Sequence, residues 1–156
     1  MHSHEVVERL RAFEVACHAH GLPVTAQRRV VYESLMGTDR HPTAEQLWEV
    51  AREELPELSR TTVYRVLETL VAAGLALRVP TPGAVAHFDA NVVPHHHAYC
   101  TRCACVFDAA AFDGEPPVRP HGLPSGFRVE SCAVLFLGIC ADCRAAGPSK
   151  AGHAPS

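Results

Sequence analysis

Two C-x-x-C pairs constrain this chain more than any other feature, because four thiols held in two short turns can close around one metal ion. The pairs are Cys100 with Cys103 and Cys140 with Cys143, and 36 residues separate them. The d-electrons of zinc(II) impose no coordination geometry, so four ligands arrange tetrahedrally around it, and it favours thiolate sulfur. A redox dithiol would instead start a helix within a βαβ pattern, which this sequence lacks. The pairs therefore predict a structural zinc site.

The composition favours metal ligands and leaves room for two small domains. The chain has 156 residues, enough for one ordinary domain or two small ones. No long apolar run occurs, and the N-terminus, MHSHEVVERLRAFE, is charged and amphipathic, so we expect a cytoplasmic protein. Seven cysteines in a reducing cytoplasm indicate metal ligands over disulfides. The three outside the pairs, Cys17, Cys105 and Cys132, are interpreted as small buried hydrophobic residues.

The first half of the sequence predicts four short helices, each bounded by its own start and stop residues. Gly21, Gly37 and Gly74 are the expected stops after helices one, two and four, and Pro56 follows helix three. The helices are the segment with the apolar stripe Val6, Leu10, Phe13 and Cys17; Ala26–Met36, capped by Thr25; the segment from the capping box at Thr43 to Leu55; and Arg60–Ala73, capped by Ser59.

The fourth helix has the pattern of a DNA recognition helix. One face is apolar, and the first turns of the other face carry Arg60, Thr61, Tyr64 and Arg65. A helix-turn-helix needs such residues there, because the N-terminal part of its second helix reaches base edges in the major groove. An ordinary amphipathic helix with a solvated polar face is the alternative that the pattern leaves open.

The charge balance sets a condition on DNA binding. The chain has a formal net charge of −3, whereas a DNA-binding protein usually carries an excess of Arg and Lys. Composition alone therefore does not suggest a nucleic-acid partner. Binding would have to rest on a few placed arginines and on added positive charge, for which a bound divalent cation is one source.

The rest of the chain predicts a hairpin followed by a strand-rich half. Leu75–Val79 and Ala84–Phe88 flank a Pro/Gly turn, which is the pattern of the wing in a winged helix. We predict an α+β protein with a winged helix-turn-helix domain at residues 1–86, a metal-binding dimerisation domain at 87–146 and a disordered tail at 147–156. The later candidate strands are Val106–Phe107 and Phe127–Leu137, separated by the loop Gly114–Gly126.

Five segments of the chain resemble the ferric uptake regulator family, and the resemblance as a whole covers about residues 5–144. They are LPVTAQRRVVYESL, HPTAEQLW, LSRTTVYRVLETL, HHHAYCTRC and GFRVESCAVLFLGICADC. The resemblance implies a homodimeric, metal-dependent transcriptional repressor that binds a double-stranded, inverted-repeat DNA operator and is not an enzyme. It also implies DNA contacts from Thr25, Gln27, Arg28, Arg60, Thr61, Thr62, Tyr64 and Arg65.

The resemblance further implies a regulatory metal between the two domains. Matched motif by motif, its ligands are His41, Asp89, His95, His97 and Asp108. Three imidazoles and two carboxylates form a borderline nitrogen and oxygen site that suits iron(II) or manganese(II).

The two acidic ligands point to a subgroup of the family. Zinc-sensing members carry a cysteine at or beside the position of Asp89, and iron-sensing members tend to carry Glu at both acidic positions. The peroxide-sensing subgroup, PerR, carries Asp at both, as this chain does at Asp89 and Asp108. Similarity to that subgroup implies control of oxidative-stress genes, with oxidation of His41 or His95 when iron(II) meets peroxide.

Some features of the sequence favour other functions. Arg65 after Tyr64 is typical of iron-responsive regulators, and Pro94 and Cys132 stand where a further metal site of the family often has histidines. Ala104 replaces a glycine that commonly follows the second cysteine. An iron-responsive ferric uptake regulator is therefore the main alternative. A non-haem iron enzyme and a metal-storage protein are two further alternatives that a His/Asp site allows.

Overall fold

A computed structural model of the chain describes residues 3–38, 40–110, 122–130 and 132–147. The four predicted helices are confirmed, and their starts follow from capping by side chains. Thr25 accepts a hydrogen bond from the backbone N–H of Arg28, and Ser59 does the same for Thr62. Thr43 forms the full capping box with Gln46. The helices are α1 (Ser3–Ala19), α2 (Ala26–Met36), α3 (Ala44–Glu54) and α4 (Arg60–Ala72).

The core of the first half lies where α2, α3 and α4 pack together. The predicted stripe of α4 faces this core, and Val63, Leu67 and Leu70 are fully buried there. Phe13 of α1 stacks on Tyr32 of α2 with ring centroids 4.4 Å apart. This packing holds α4 with its polar face outward, which is the arrangement that a recognition helix requires.

A short antiparallel hairpin follows α4. Strands β1 (Leu77–Val79) and β2 (His87–Asp89) pair with Arg78 opposite Phe88. Both strands are shorter than predicted at their N-terminal ends, and β2 extends one residue further, to Asp89. The predicted division of the chain at residues 86 and 87 falls at the start of β2, where Phe88 and Ala90 pack with the core of the helices. We keep this division as a prediction.

The second half contains a three-stranded sheet and a short helix. Strand β3 (His96–Cys100) lies between β4 (Val106–Ala109), which is antiparallel to it, and β5 (Leu135–Gly138), which is parallel. Helix α5 (Ala141–Ala145) follows β5. The prediction of a strand over Phe127–Leu137 is therefore wrong in its length. Because β3 has only five residues, it can pair with only the last part of that segment.

The fold is α+β, as predicted, with a helical first half and a sheet in the second. Among the described residues, no helix is both long and apolar enough to cross a membrane. The predicted loop Gly114–Gly126 and the predicted disordered tail at 147–156 fall mostly outside the described residues. Of the three cysteines interpreted as buried, Cys17 is buried, but Cys105 is half-buried and Cys132 is exposed, so the interpretation is wrong for these two.

Candidate metal-binding sites and DNA-binding surface

The four paired cysteines come together at one end of the sheet. Cys100 ends β3, Cys103 lies in the turn that follows, and Cys140 is the N-cap of α5, which contains Cys143. Their sulfur atoms all lie within 4.8 Å of one another. Ala104 closes the first turn in the left-handed region, at φ 60°, and its N–H donates to the carbonyl of Cys100 at 2.9 Å. Such a φ favours glycine, so an alanine here is strained but tolerated.

Backbone amides make this thiol cluster receptive to a cation. The N–H of Cys140 donates to the sulfur of Cys100 at 3.3 Å. This bond, with others from the amides of Cys103 and Arg102, lowers the pKa of the Cys100 thiol to about 6. Hydrogen bonds with Cys140 and Cys103 raise the pKa of Cys143 to about 12. The thiolate form of Cys100 is therefore favoured in the cluster, whereas Cys143 needs a bound cation to ionise near neutral pH.

The five residues of the predicted regulatory site also come together, between the two halves of the chain. His41 precedes the cap of α3, Asp89 ends β2, and Asp108 lies in β4. His95 and His97 lie at the start of β3. The ligand atoms of all five lie within 4.8 Å of one another.

Hydrogen bonds within this cluster satisfy only some of its polar atoms. His41 Nε2 lies 2.7 Å from Asp108 Oδ1, which is a good hydrogen bond. In contrast, three buried atoms have no hydrogen-bond partner among the described residues: Asp89 Oδ2, His95 Nε2 and His97 Nε2. Asp89 Oδ2 and His95 Nε2 are 3.0 Å apart but do not form a hydrogen bond. Buried polar atoms left unpaired around a common centre fit a metal ion that they would coordinate together.

The imidazoles are prepared to act as ligands. His95 Nδ1 lies 2.7 Å from the carbonyl oxygen of Val93. Because a carbonyl only accepts, Nδ1 carries a hydrogen, which leaves Nε2 as the ring nitrogen that can bind a metal at the centre of the cluster. Burial, followed by the nearby His41 and His95, lowers the pKa of His97 below its ordinary value of 6.5. His97 is therefore neutral at pH 7, as a metal ligand must be.

The predicted DNA contacts lie on the outer side of the helices but differ in their surroundings. Tyr64 and Arg65 are exposed on α4, as are Thr61 and, on α2, Gln27. Arg60 forms an ion pair with Glu45 at 2.9 Å, and its guanidinium lies over the ring of Trp48, 4.3 Å from the centroid. The remaining three make local bonds: Thr25 and Thr62 at the caps, and Arg28 with the carbonyl of Pro23 at 2.5 Å. Whether these eight residues contact DNA stays a prediction.

Two residues beside the regulatory cluster were not identified from the sequence. His87 is buried, and its Nδ1 lies 2.7 Å from the carbonyl oxygen of His41. The backbone N–H of Asn91 donates to Asp89 Oδ1 at 2.7 Å. The only available signal was the proximity of both residues to Asp89 in sequence.

Comparison with known proteins agrees with this arrangement. Residues 19–134 match the ferric uptake regulator family. The transcriptional regulator FurA of Mycobacterium tuberculosis is 33% identical over 130 residues, which cover 83% of this chain and 88% of FurA. The peroxide operon regulator of Bacillus subtilis is 28% identical over 145 residues, covering 92% of this chain and 96% of that protein. The structure of the ferric uptake regulator Fur of Helicobacter pylori, described as having three functional metal-binding sites, superposes with a TM-score of 0.69 at 18% identity, covering 94% of this chain and 96% of Fur.

Proposed function

We propose, since the chain belongs to the ferric uptake regulator family of metal-responsive transcriptional regulators, that it is a repressor which releases its operator when peroxide reaches a bound iron(II). The observation that carries this proposal is the cluster of three histidines and two aspartates, whose ligand atoms lie within 4.8 Å of one another. Both acidic ligands, Asp89 and Asp108, are aspartates, as in the peroxide-sensing members that the sequence resembles. Iron(II) or manganese(II) is the regulatory metal in this proposal, and zinc occupies the four-cysteine site.

Metal controls DNA binding in this proposal by fixing how the two halves of the chain are arranged. His41 and Asp89 belong to the helical half and its hairpin, whereas His97 and Asp108 belong to the three-stranded sheet and His95 directly precedes its strand β3. One ion bound by both groups stabilises the closed arrangement over open ones. Shifting such an equilibrium from mostly open to mostly closed requires about 5.5 kcal/mol of differential binding, which several coordinate bonds can supply.

A second copy of the chain is the proposed partner of the sheet. Strand β5 lies at the edge of the sheet, and Phe136, Leu137 and Ile139 are exposed on or beside it. Exposed apolar side chains at a sheet edge are typical of a surface that another chain covers. In a homodimer joined there, the two copies of α4 would read the two halves of an inverted repeat.

The proposed response to peroxide ends in the loss of a ligand. Iron(II) bound in the cluster supplies the electron-transfer chemistry that opens the peroxide O–O bond. One oxygen atom joins a ring carbon of His41 or His95, the other leaves as water, and the imidazole supplies both electrons. An oxidised ring is a poorer ligand, so the cluster releases its metal. Without the metal, the closed arrangement is no longer stabilised over open ones.

The second candidate function is iron-responsive repression without peroxide chemistry. Arg65 favours it, because the sequence resembles iron-responsive members at this position of the recognition helix. In that case the same cluster binds and releases iron(II) reversibly, and the histidines stay unmodified.

Peroxide treatment of iron-loaded and manganese-loaded protein tests the proposal. We expect the iron-loaded protein to gain one oxygen on the peptide that contains His41 or His95, measured by tryptic mass spectrometry, and to lose DNA binding in a mobility-shift assay. The manganese-loaded protein should do neither. Asp108→Glu should bind metal and DNA yet respond less, because the extra methylene changes how the carboxylate approaches the metal.

Three outcomes of this experiment would support other functions. Intact histidines on the iron-loaded protein would replace the peroxide proposal with iron-responsive repression. Oxidation confined to Cys17, Cys105 or Cys132 would indicate thiol chemistry instead. Metal binding without any change in DNA binding would favour metal storage.

A further inference from the structure

Two separate segments of the chain, residues 41–43 and 87–88, are joined along the edge of the regulatory cluster. The backbone N–H of Phe88 donates to the carbonyl of Pro42 at 3.0 Å, and Thr43 and His87 form an antiparallel bridge. Each segment contains or adjoins one proposed metal ligand: His41 begins the first, and Asp89 follows the second. The relative position of these two ligands therefore depends on this junction.

The side chain of His87 contributes its own bond to the junction. Its Nδ1 lies 2.7 Å from the carbonyl oxygen of His41. A carbonyl oxygen only accepts, so Nδ1 is the donor and the bond fixes the orientation of the peptide after His41. Pro42 has no N–H to offer, and the N–H of Thr43 already donates to Gln46 Oε1 at 2.9 Å. Neither of these amides is therefore free to donate to the His41 carbonyl; the residue before His41, Arg40, forms a separate bridge with Phe107 of β4.

The same junction begins the helix-turn-helix. Thr43 is the N-cap of α3, and the capping box with Gln46 fixes where that helix starts. Helix α3 in turn contacts α4, since Trp48 Nε1 donates to the carbonyl of Leu58 at 2.8 Å and Arg60 lies over the Trp48 ring. A shift of residues 41–43 would consequently move the start of α3.

We infer that His87 is a positioning residue of the regulatory site, which holds His41 in place for the metal and ties the site to the start of α3. His87 is not one of the proposed ligands, because its ring nitrogens lie outside the cluster formed by the ligand atoms of the other five residues. The inference rests on the proposed function for the identity of the regulated process, whereas the junction consists of bonds between protein atoms alone.

Two amide substitutions test this inference. In His87→Asn the side-chain amide can take the place of Nδ1, whereas in His87→Gln it extends toward the position of Nε2 and leaves the His41 carbonyl without its donor. The imidazole borders a cavity of about 260 Å³, so the smaller asparagine fits without collision. We expect Asn to keep manganese(II) affinity close to that of the wild type and Gln to lower it about 10- to 100-fold, the range seen when a supporting partner of a ligand is lost.

Manganese(II) affinity is measured on full-length, zinc-loaded protein by competition with a fluorescent chelator. Ser34→Ala is the matched control, because it also removes a side-chain donor to a backbone carbonyl, that of Val30 at 2.8 Å, away from the cluster. This variant should keep wild-type manganese(II) affinity. Equal affinities in the Asn and Gln variants, or a loss of affinity in Ser34→Ala as large as in His87→Gln, would overturn the inference.

Amide hydrogen exchange in the absence of manganese separates this inference from the proposed function. We expect the N–H of Phe88, which donates to Pro42, to exchange faster in His87→Gln than in His87→Asn or the wild type. This difference should appear even if the wild-type protein shows no metal-dependent DNA binding, a result that would sink the proposed function alone. Unchanged exchange at Phe88 in His87→Gln would show that the side chain does not hold the junction.

Discussion

Replacing Asp89 by asparagine should not lower the stability of the metal-free protein, but it should lower the stability of the metal-bound protein. Asp89 is buried, and its Oδ2 has no hydrogen-bond partner among the described residues. An asparagine keeps Oδ1 as the acceptor for the N–H of Asn91 at 2.7 Å, but it removes a charge that is costly to bury. At pH 8, well above the ordinary pKa of an imidazole, we therefore expect metal-free Asp89→Asn to be at least as stable as the wild type.

The effect should reverse when manganese(II) is added. At a metal concentration of about 100 times the dissociation constant, binding stabilises the wild type by about 2.7 kcal/mol. Loss of this ligand should weaken binding at least as much as loss of a supporting partner of a ligand, which costs up to about 100-fold. At about 100-fold weaker binding, the same concentration stabilises the variant by only about 0.4 kcal/mol. The difference of about 2.3 kcal/mol corresponds to roughly 5–9 °C in the unfolding midpoint for a chain of this size.

Thermal unfolding with and without manganese(II) measures both effects, with Glu53→Gln as a control that neutralises an exposed carboxylate on α3. The control should show the full metal-dependent rise of the wild type. The reasoning would be refuted if metal-free Asp89→Asn were destabilised by several degrees, or if it retained the wild-type rise with metal. The first result would give Asp89 a purely structural role, and the second would remove it from the ligand set.

Three further predictions concern the other parts of the molecule. Cys143→Ser should release one zinc ion per chain and cause the loss of the folded second half or of the dimer, because zinc binding and folding are coupled. A zinc assay with size-exclusion chromatography measures both effects, and the control Cys132→Ser, at an exposed cysteine, should keep its zinc. Tyr64→Ala and Arg65→Ala should each abolish specific operator binding in a mobility-shift assay while both metals stay bound, and unchanged affinity would place the recognition surface elsewhere. The pKa of His97 is lowered in the folded state, so at this residue the unfolded chain binds more protons, and its contribution to stability is lost as the pH falls below 6.5. Urea unfolding of metal-free protein from pH 7.5 to 5.5 should therefore show a smaller loss of unfolding free energy in His97→Asn than in the wild type.

The sequence predicted the helices well because the signals for their ends are local. Thr25, Thr43 and Ser59 each cap a helix through a bond to a residue three positions later. Strand lengths could not be predicted in the same way. The segment Phe127–Leu137 was predicted as one strand, but among its described residues only the last three belong to β5, because β3 is short and pairs with Leu135–Gly138.

The proposed metal ligands were predicted from family resemblance, and the fold brings them together. The residues that support them were not predicted. His41 and His97 are far apart in the sequence, and no local pattern in the chain indicates that they meet. His87 acts on a backbone carbonyl 46 residues away. A backbone acceptor leaves no trace in the identity of the residue that carries it, so sequence patterns do not reveal such a pair.

The contacts around the cluster indicate what metal binding changes and what it leaves alone. Protein contacts alone connect both proposed ligands of the first half to α4. His41 is connected through Thr43 and α3, and Asp89 through its neighbour Phe88. The guanidinium of Arg78 lies 5.8 Å from the centre of the Phe88 ring and pairs with Glu68 of α4. Since these contacts lie within the helical half and its hairpin, the helix-turn-helix should be folded in the metal-free protein. The metal would connect His41 and Asp89 of this half to His95, His97 and Asp108 of the other, so metal binding should alter the position of the helix-turn-helix relative to the sheet more than its internal structure.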